Sequence, residues 1–580
     1  MNAIETEVLV VGAGLTGSTA GILLARQGID ALVISRSHWV ADSPRAHIMN
    51  QRTMEVFRAL GLEKAANAAA TPGDQMANHF MATAVNGPEF GRMWTWGNDP
   101  ARQGEYGLAS PTRGCDLPQD RLEPILVGEA MKRGATVRFS TKFLELEQDA
   151  DGVTSVLEDL VTGERFQVRS KYVIAADGGQ SPVADAVGIP MEGTPGIAPA
   201  INIVFKADLT KYFAHRPGSI FWIVQPWKEG PLAAGMLRMV EPWTRWVAAV
   251  FHLGERVTEY PREQLEGIVR DLIGDDDVKI EIEGIYPWRI NHVLAQRYSE
   301  GRVFGAGDAV HRHPPMNGLG GNTCIQDSFN LVWKIAAVLR GRAKPALLDS
   351  YEAERRPVGR AVVDAAIAGF HTTPDMARAV VVDPTAPAAE RQAQFEKLYE
   401  DSDEGEARRA HYAAVKRARD VVYHAHGTEM NQVYVSSAVV DDGSPQIVYE
   451  RDPRLYYVPS ARPGSRLPHA WVQYEGATCS TLDLTGPERF TLLARDRGAA
   501  WLDAARTVAE ELGVDIAAFR IGLGVEVADL YTEWAERSGI GEQGCILVRP
   551  DQFVAWRHAG PASDATGELR SALTSILALR

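Results

Sequence analysis

The chain is short of cysteine, of long apolar runs and of positive charge. Four cysteines in 580 residues, Cys115, Cys324, Cys479 and Cys545, cannot build a disulfide framework, and none lies close enough to another for a CxxC pair. No stretch approaches the roughly 20 apolar residues that a membrane helix needs. The opening Met-Asn-Ala-Ile-Glu-Thr-Glu is acidic, and the apolar run after it is soon broken by glycines, a poor secretion signal. Lys and Arg total 60 against 75 Asp and Glu, a formal net charge of −15. Nucleic-acid binding calls for a basic balance, so that class loses weight. Internal repeats and low-complexity tracts are missing as well. What remains is ordinary globular composition, 45% hydrophobic and 23% charged. The expectation is a cytoplasmic protein without membrane or nucleic-acid partners, large enough for a nucleotide-binding core and added domains.

Val8 to Val11 is a β-branched and leucine run of the kind that forms a buried parallel strand. Gly12-Ala13-Gly14-Leu15-Thr16-Gly17 follows at once. A helical stretch from Ser18 to Gln27 then stops at Gly28, and Ala31 to Ile34 reads as a second buried strand. A GxGxxG at the first turn of a strand–helix–strand unit points to a dinucleotide rather than to a merely structural turn. Gly12 makes the turn, Gly14 admits a pyrophosphate, and Gly17 lets helix and strand pack closely. The helix N-terminus offers N–H groups and positive potential to the phosphates. The acidic residue expected about 20 positions on is missing. Ser35 and Arg36 stand there instead, a hydroxyl for a ribose and a guanidinium for an adenine face. This unit alone does not separate FAD from NADP.

Two distant motifs bear on that choice. Lys171 to Ala176 reads as a strand ending in Asp177-Gly178-Gly179-Gln180-Ser181. Arg302 to Ala306 runs into Gly307-Asp308, followed by Pro314, by Gly318-Leu319-Gly320-Gly321 and by Asn322, where a helix through Asp327, Asn330, Trp333 and Lys334 begins. A strand ending in Gly-Asp puts a carboxylate at the C-terminal edge of a sheet, where open α/β folds bind ligands. The positive end of the helix that follows suits the anionic edge of a reduced flavin. With GxGxxG, Asp-Gly and Gly-Asp in this order, the chain resembles the class A FAD-dependent aromatic hydroxylases. Three segments narrow the resemblance to the phenol ortho-hydroxylase branch: Pro44-Arg45-Ala46-His47-Ile48-Met49-Asn50-Gln51-Arg52-Thr53-Met54-Glu55, Cys115-Asp116-Leu117-Pro118-Gln119, and Gly307-Asp308-Ala309-Val310-His311-Arg312-His313-Pro314-Pro315. It covers essentially the whole chain.

The resemblance implies FAD as cofactor, NADH or NADPH as co-substrate, O2, a small phenolic substrate, and a homodimer. It implies a pyrophosphate loop at Gly12, Gly14 and Gly17, with Arg45 and Gln51 beside the flavin. Gln119 and Asp308 would meet the ribityl side, and Gly320, Gly321 and Asn322 the pyrimidine edge. Asp177 belongs to the Asp-Gly motif, and the Pro314 carbonyl would face the oxygen-reaction side. The arginine that usually follows the Asp-Gly motif is Ala184 here, which leaves support for the pyridine nucleotide open.

The implied fold is α/β, with a discontinuous Rossmann-like FAD domain at 1–80, 105–186 and 287–370. Inserts at 81–104 and 187–286 alternate polar and apolar residues, as in an antiparallel sheet, and form a mainly antiparallel β substrate domain. A charged helical connector, with one long stretch from Glu390 to Val422, spans 371–430. The C-terminal part, 431–580, resembles a thioredoxin-like domain, but without CxxC its expected role is structural or dimer-supporting.

The resemblance also implies the reaction. NAD(P)H reduces the flavin, O2 adds at C4a, and the resulting flavin hydroperoxide attacks the ring as an electrophile. A phenolate reacts far better than a phenol, and phenols lose their proton only near pH 10, like tyrosine. A base or phenolate stabiliser is therefore needed within hydrogen-bond reach. The candidates are His47, with Asp116 to orient it and Arg238 to hold phenolate charge. Each has a structural alternative: a satisfied histidine, a cap for a helix at Pro118, a structural ion pair. His311 and His313 form an HxH with no Cys or carboxylate cluster nearby, so no metal is expected. Seven tryptophans in or beside the inserts, Trp94, Trp96, Trp222, Trp227, Trp243, Trp246 and Trp288, suit a flat apolar pocket, though which of them line it stays open. Beside ortho-hydroxylation of a phenol to a catechol stand an aromatic polyketide hydroxylase, an FAD-dependent dehydrogenase or reductase, and a flavin-binding interaction module.

Overall fold

A computed structural model describes residues 3–229, 233–251 and 260–579. Residues 230–232 and 252–259 of the expected substrate insert, and Met1, Asn2 and Arg580, lie outside the described residues.

The first sheet has eight strands centred on Ala3–Val11. Arg165–Ala175 pairs with it in parallel on one side and Ala31–Ile34 on the other, and Val303–Gly305 and Thr136–Arg138 extend the parallel array outward. The run Val8–Val11 is wholly buried, as a strand covered on both faces must be. The register carries the functional consequence. Ile34, Val11, Ala175 and Gly305 form one row across the four strands. The residues that follow each of them therefore emerge together: Ser35, Gly12, Asp177 and Asp308, drawn from four distant stretches, share one edge. Gly12 holds φ +108°, and a Cβ there would lie 2.1 Å from the Ala176 carbonyl oxygen. At Gly17 a Cβ would lie 1.8 Å from the Gly12 oxygen, so helix Leu15–Arg26 reaches its strand only because both residues lack side chains.

The second sheet also has eight strands and is mostly antiparallel, with Asn78–Ala82 parallel to Ile220–Gln225. It takes in Met191–Lys206, Ala233–Glu241, Arg245–Phe251 and Glu281–Ala295. Both expected boundaries shift. Strand Asn78–Ala82 crosses position 80 and strand Glu281–Ala295 crosses 286, so the sheet claims residues assigned by sequence to the flavin part. The two-residue alternation holds. Phe80, Phe221, Ile223, Leu237, Trp246 and Ala248 face a closed core under helix Arg262–Ile273, which buries Leu265, Val269, Leu272 and Ile273 at helical spacing. The other face carries the residues described below.

The expected helix from Glu390 to Val422 is broken into Ala388–Glu396, Asp403–Ala418 and Asp420–Tyr423. Ser402 accepts from the Gly405 N–H and restarts the chain as an N-cap, a signal hidden among the surrounding charges. The C-terminal part forms a mixed sheet of seven strands. There Phe490–Arg495 runs parallel to Ile516–Gly522 across helix Ala499–Leu512, and antiparallel to Cys545–Val548. All four cysteines are free. Among the described residues no helix is long and apolar enough to cross a membrane.

Candidate active site

The edge of the first sheet and the open face of the second enclose one cavity of about 2000 Å³. Gly12, Gly14, Ser35, Arg36, Asp177 and Asp308 line it from the first sheet. Two helices begin at its wall, Leu15–Arg26 and Gly320–Leu339, and neither N-terminus has a side-chain cap or an acidic residue in its first turn. Their free N–H groups and positive dipole ends make two anion-attracting points in one cavity. A Cβ at Gly14 would meet only the Glu123 carboxylate, at 3.4 Å, and one at Gly320 only the His313 ring, at 3.5 Å, so backbone is bared to the cavity at both. One glycine-rich turn at the start of helix Leu15–Arg26, an exposed carboxylate at Asp308 and a second bare helix end fit the pyrophosphate, the sugar chain and the anionic ring edge of a flavin dinucleotide.

Asp308 is placed by a buried network. Asp327 accepts from the Gly307 N–H at 2.9 Å, from Arg355 Nε at 2.7 Å, and pairs with His311 Nε2 at 2.9 Å. Burial opposes the charge on Asp327, but Arg355 and His311 outweigh it and hold the carboxyl below its usual range. His311 is thus spent on the loop. His313 faces the cavity with Nδ1 on the Pro314 carbonyl, and burial pushes it down to about 4. Among the described residues no group of three or more His, Cys, Asp or Glu is placed to hold a metal ion.

The three proposed catalytic side chains converge. His47 Nδ1 lies 3.4 Å from Asp116 Oδ1, and Arg238 Nη2 donates to Asp116 Oδ2 at 2.6 Å. Backbone pairing brings the first two together: Ile48 pairs antiparallel with Asp116, and the Leu117 N–H donates to the His47 carbonyl at 2.7 Å. Arg238 reaches them from the second sheet, 122 positions from Asp116. Asp116 is 1% exposed. Burial raises its pKa, but the Arg238 charge and the His47 contact reverse the sign and keep it below the usual carboxylate range. His47 is pushed below 6.5, first by burial and then by Arg238, against the pull of Asp116.

The other candidates divide. Arg45, Gln119 and Gly321 line the cavity. Gln119 Nε2 donates to Glu123, whose other oxygen accepts from the Ala41 N–H at 2.6 Å. Gly17, Gln51, Pro314 and Asn322 do not reach the cavity wall. Gly17 is a packing position. Gln51 donates to the carbonyls of Tyr106 and Thr112 and pairs with His426, tying three segments together. Pro314 is buried between His313 and Pro315, which do line the wall. Asn322 accepts from the Asn50 N–H and donates to the Ile48 and Gly318 carbonyls, so it clasps the His47 segment to the flavin-side helix. Ala184 is fully buried in the first core, with no room for an arginine. A cation does reach the Asp-Gly loop, but it is Arg312, which donates to the Gly179 carbonyl.

Of the tryptophans, Trp96, Trp222 and Trp288 line the cavity. Trp246 is core, Trp243 packs against it, and Trp94 and Trp227 are largely exposed. Sequence reading missed Glu123, His79, Arg312 and Tyr423 on the wall. For His79 a signal existed in the alternation through Asn78-His79-Phe80, but it became legible only once Phe80 was known to face the core.

The sequence profile of the FAD binding domain family matches residues 5–366, and that of the aromatic-ring hydroxylase C-terminal domain matches residues 460–578. The chain is 48% identical to a 2,4-dichlorophenol 6-monooxygenase of Cupriavidus pinatubonensis (strain JMP 134 / LMG 1197), over 99% of this chain and 96% of that one. It is 39% identical to a phenol 2-monooxygenase of Pseudomonas sp. (strain EST1001), over 97% and 91%. The crystal structure of the flavin-dependent monooxygenase PieE in complex with FAD and substrate superposes with a TM-score of 0.96 at 42% identity, over all of both chains.

Proposed function

The chain belongs to the FAD-dependent aromatic-ring hydroxylases, enzymes that take FAD as cofactor and NAD(P)H as co-substrate, and on that premise we propose that it hydroxylates a substituted phenol ortho to its hydroxyl group, giving a catechol. The observation that carries the reading is the His47–Asp116–Arg238 cluster, in which His47 and Arg238 line the cavity that Gly12, Gly14 and Asp308 also line and Asp116 lies buried behind them.

Gly12, Gly14, Asp308 and Gly320 would hold FAD, which would supply the redox chemistry, with NAD(P)H as reductant and O2 as the source of the oxygen atom. With Nδ1 turned to Asp116, Nε2 is the His47 nitrogen left to accept the phenolic proton. His47 is neutral at neutral pH, so that nitrogen is free to accept. The Asp116 carboxylate, kept ionised by Arg238, then stabilises the imidazolium by its charge, 3.4 Å from Nδ1. Arg238 Nε has no partner among the described residues, and its charge lowers the energy of a phenolate beside it. The 1% exposure of Asp116 excludes bulk water, which strengthens each of these interactions.

We assign the edge of the first sheet and the two bare helix ends to FAD, the open face of the second sheet to the aromatic substrate, and the seven-stranded C-terminal sheet to a thioredoxin-like structural module. The test of the reaction is NADH and NADPH oxidation by the FAD-loaded protein with and without a panel of phenols, with products identified by mass. Stimulated oxidation with a product heavier by one oxygen is expected. Stimulation that yields only hydrogen peroxide would overturn the choice of substrate. Because the base form of His47 is required, the acid limb of kcat/KM is expected below pH 6.5, the ordinary histidine value. A limb above 6.5 would assign the base elsewhere.

A further inference from the structure

At the far end of the second sheet's open face stands His79. It is 0% exposed, yet neither Nδ1 nor Nε2 has a hydrogen-bond partner among the described residues. It lines the cavity. A neutral imidazole always carries one donor and one acceptor, and leaving both unmade in the interior costs more than a phenylalanine of similar size would. Packing alone therefore does not account for it. Its ring sits edge-on to Tyr423, with centroids 4.4 Å apart, and stacks over Trp222 at 6.4 Å, contacts that any aromatic ring would make.

A second polar edge faces the same end from a different segment. Trp96 Nε1 is buried without a partner among the described residues, and its ring packs edge-on to Tyr423 at 6.1 Å. Trp96 holds φ +55°, a left-handed backbone that a bulky residue adopts only when its surroundings impose it. Ala46, beside His47, and Asn317 share that conformation and also line the cavity. Strained positions gathered on one wall are characteristic of ligand sites.

The sheet register sets the spacing. His79 pairs with Ile220, and Ile220 pairs with Arg238. His79 and Arg238 thus stand in one row on the same face, two strands apart, with about 10 Å between their backbones. Arg238 belongs to the cluster that holds the reacting hydroxyl. A single aromatic ring held there reaches toward His79 with its opposite side.

We propose that His79, aided by Trp96, determines specificity by hydrogen-bonding a second polar group across the ring from the reacting hydroxyl, so that the preferred substrate is a phenol bearing an uncharged hydroxyl or carbonyl on its far side. This rests on the hydroxylase reading. Burial, with Arg419 and Arg238 nearby, pushes His79 well below 6.5, so it stays neutral and suits an uncharged group better than a carboxylate. Tyr423, Trp222 and Trp96 provide the aromatic walls.

The test uses the FAD-loaded protein with 4-hydroxyphenol and 4-acetylphenol against 4-methylphenol and 4-chlorophenol. Affinity is read from perturbation of the flavin spectrum, and kcat/KM from product formation. The polar pair is expected to be favoured by about tenfold, the worth of one or two net hydrogen bonds. His79→Phe should remove that preference through loss on the polar pair alone, and His79→Gln should keep part of it. Absence of a preference in the unsubstituted protein, or an equal change for all four ligands in the variants, would overturn the proposal. Binding separates it from the reading beneath it. A polar preference without any oxygenated product sinks the hydroxylase reading and leaves the His79 contact standing, whereas oxygenation without that preference does the reverse.

Discussion

Replacing His47 by alanine is expected to lower coupled hydroxylation by about two to four orders of magnitude, the usual worth of a positioned general base, with FAD content unchanged. The separation of the two effects follows from how the segment is held. The His47 carbonyl accepts from Leu117, Ile48 pairs with Asp116, and Asn322 clasps Ile48 and Asn50. All of these are main-chain contacts that alanine keeps. NAD(P)H oxidation should therefore continue in His47→Ala, with hydrogen peroxide replacing the catechol. The measurement is the ratio of catechol to peroxide per NAD(P)H consumed, beside the flavin-to-protein absorbance ratio. Wild-type coupling in the variant would remove His47 from the chemistry. Asp116→Asn is a poorer probe, because it strips the buried Arg238 of its counter-charge and risks the fold.

Replacing Glu354 by alanine is expected to destabilise the protein by about 3–5 kcal/mol, the cost of breaking a buried ion cluster by removing one partner. Glu354, Lys334 and Arg549 have fully buried side chains, and Asp551 is nearly so. Glu354 Oε2 accepts from Lys334 Nζ at 2.7 Å, Asn330 Nδ2 at 2.7 Å and Arg549 Nη2 at 2.8 Å, and Oε1 accepts from Ser436 Oγ at 2.6 Å. Two cations face two carboxylates, so the intact cluster is neutral, and losing Glu354 leaves one unpaired positive charge with no access to water. The cluster also joins three units. Lys334 rides on the helix that starts at the flavin side of the cavity, Glu354 on helix Asp349–His371, and Arg549 follows a strand of the C-terminal sheet. Glu354→Ala should lower the thermal midpoint and release FAD at the same transition, read by flavin fluorescence during heating. An unchanged midpoint would show that water reaches the cluster.

That cluster bears on the C-terminal sheet, whose sequence lacks CxxC. Its tie to the flavin-side helix runs through charges that the sequence presents as scattered single residues. Arg52 adds a second tie, donating to Gln552 and to the Asp551 carbonyl. In the sequence, Arg52 looked like one more residue of the segment passing the flavin.

What the sequence determined by itself were features written in neighbouring residues. The glycines at 12, 14 and 17, the apolar run before them and the Gly-Asp at 307–308 act through backbone freedom and local period; the strand ends at Val11 as read but begins at Ala3, and the helix begins at Leu15 rather than Ser18. The tertiary structure decided what each side chain meets. Gln51 and Asn322 sit in the expected segments, yet they serve main-chain carbonyls and amides rather than the cavity. His79 was counted with the flavin part until the register of Asn78–Ala82 put it in one row with Arg238, two strands away. Arg238 meets Asp116 across 122 positions. A turn or a helix is selected by interactions a few residues long, which the sequence displays. A site is selected by which strand edge and which face oppose one another, and that is a matter of register and packing between distant segments.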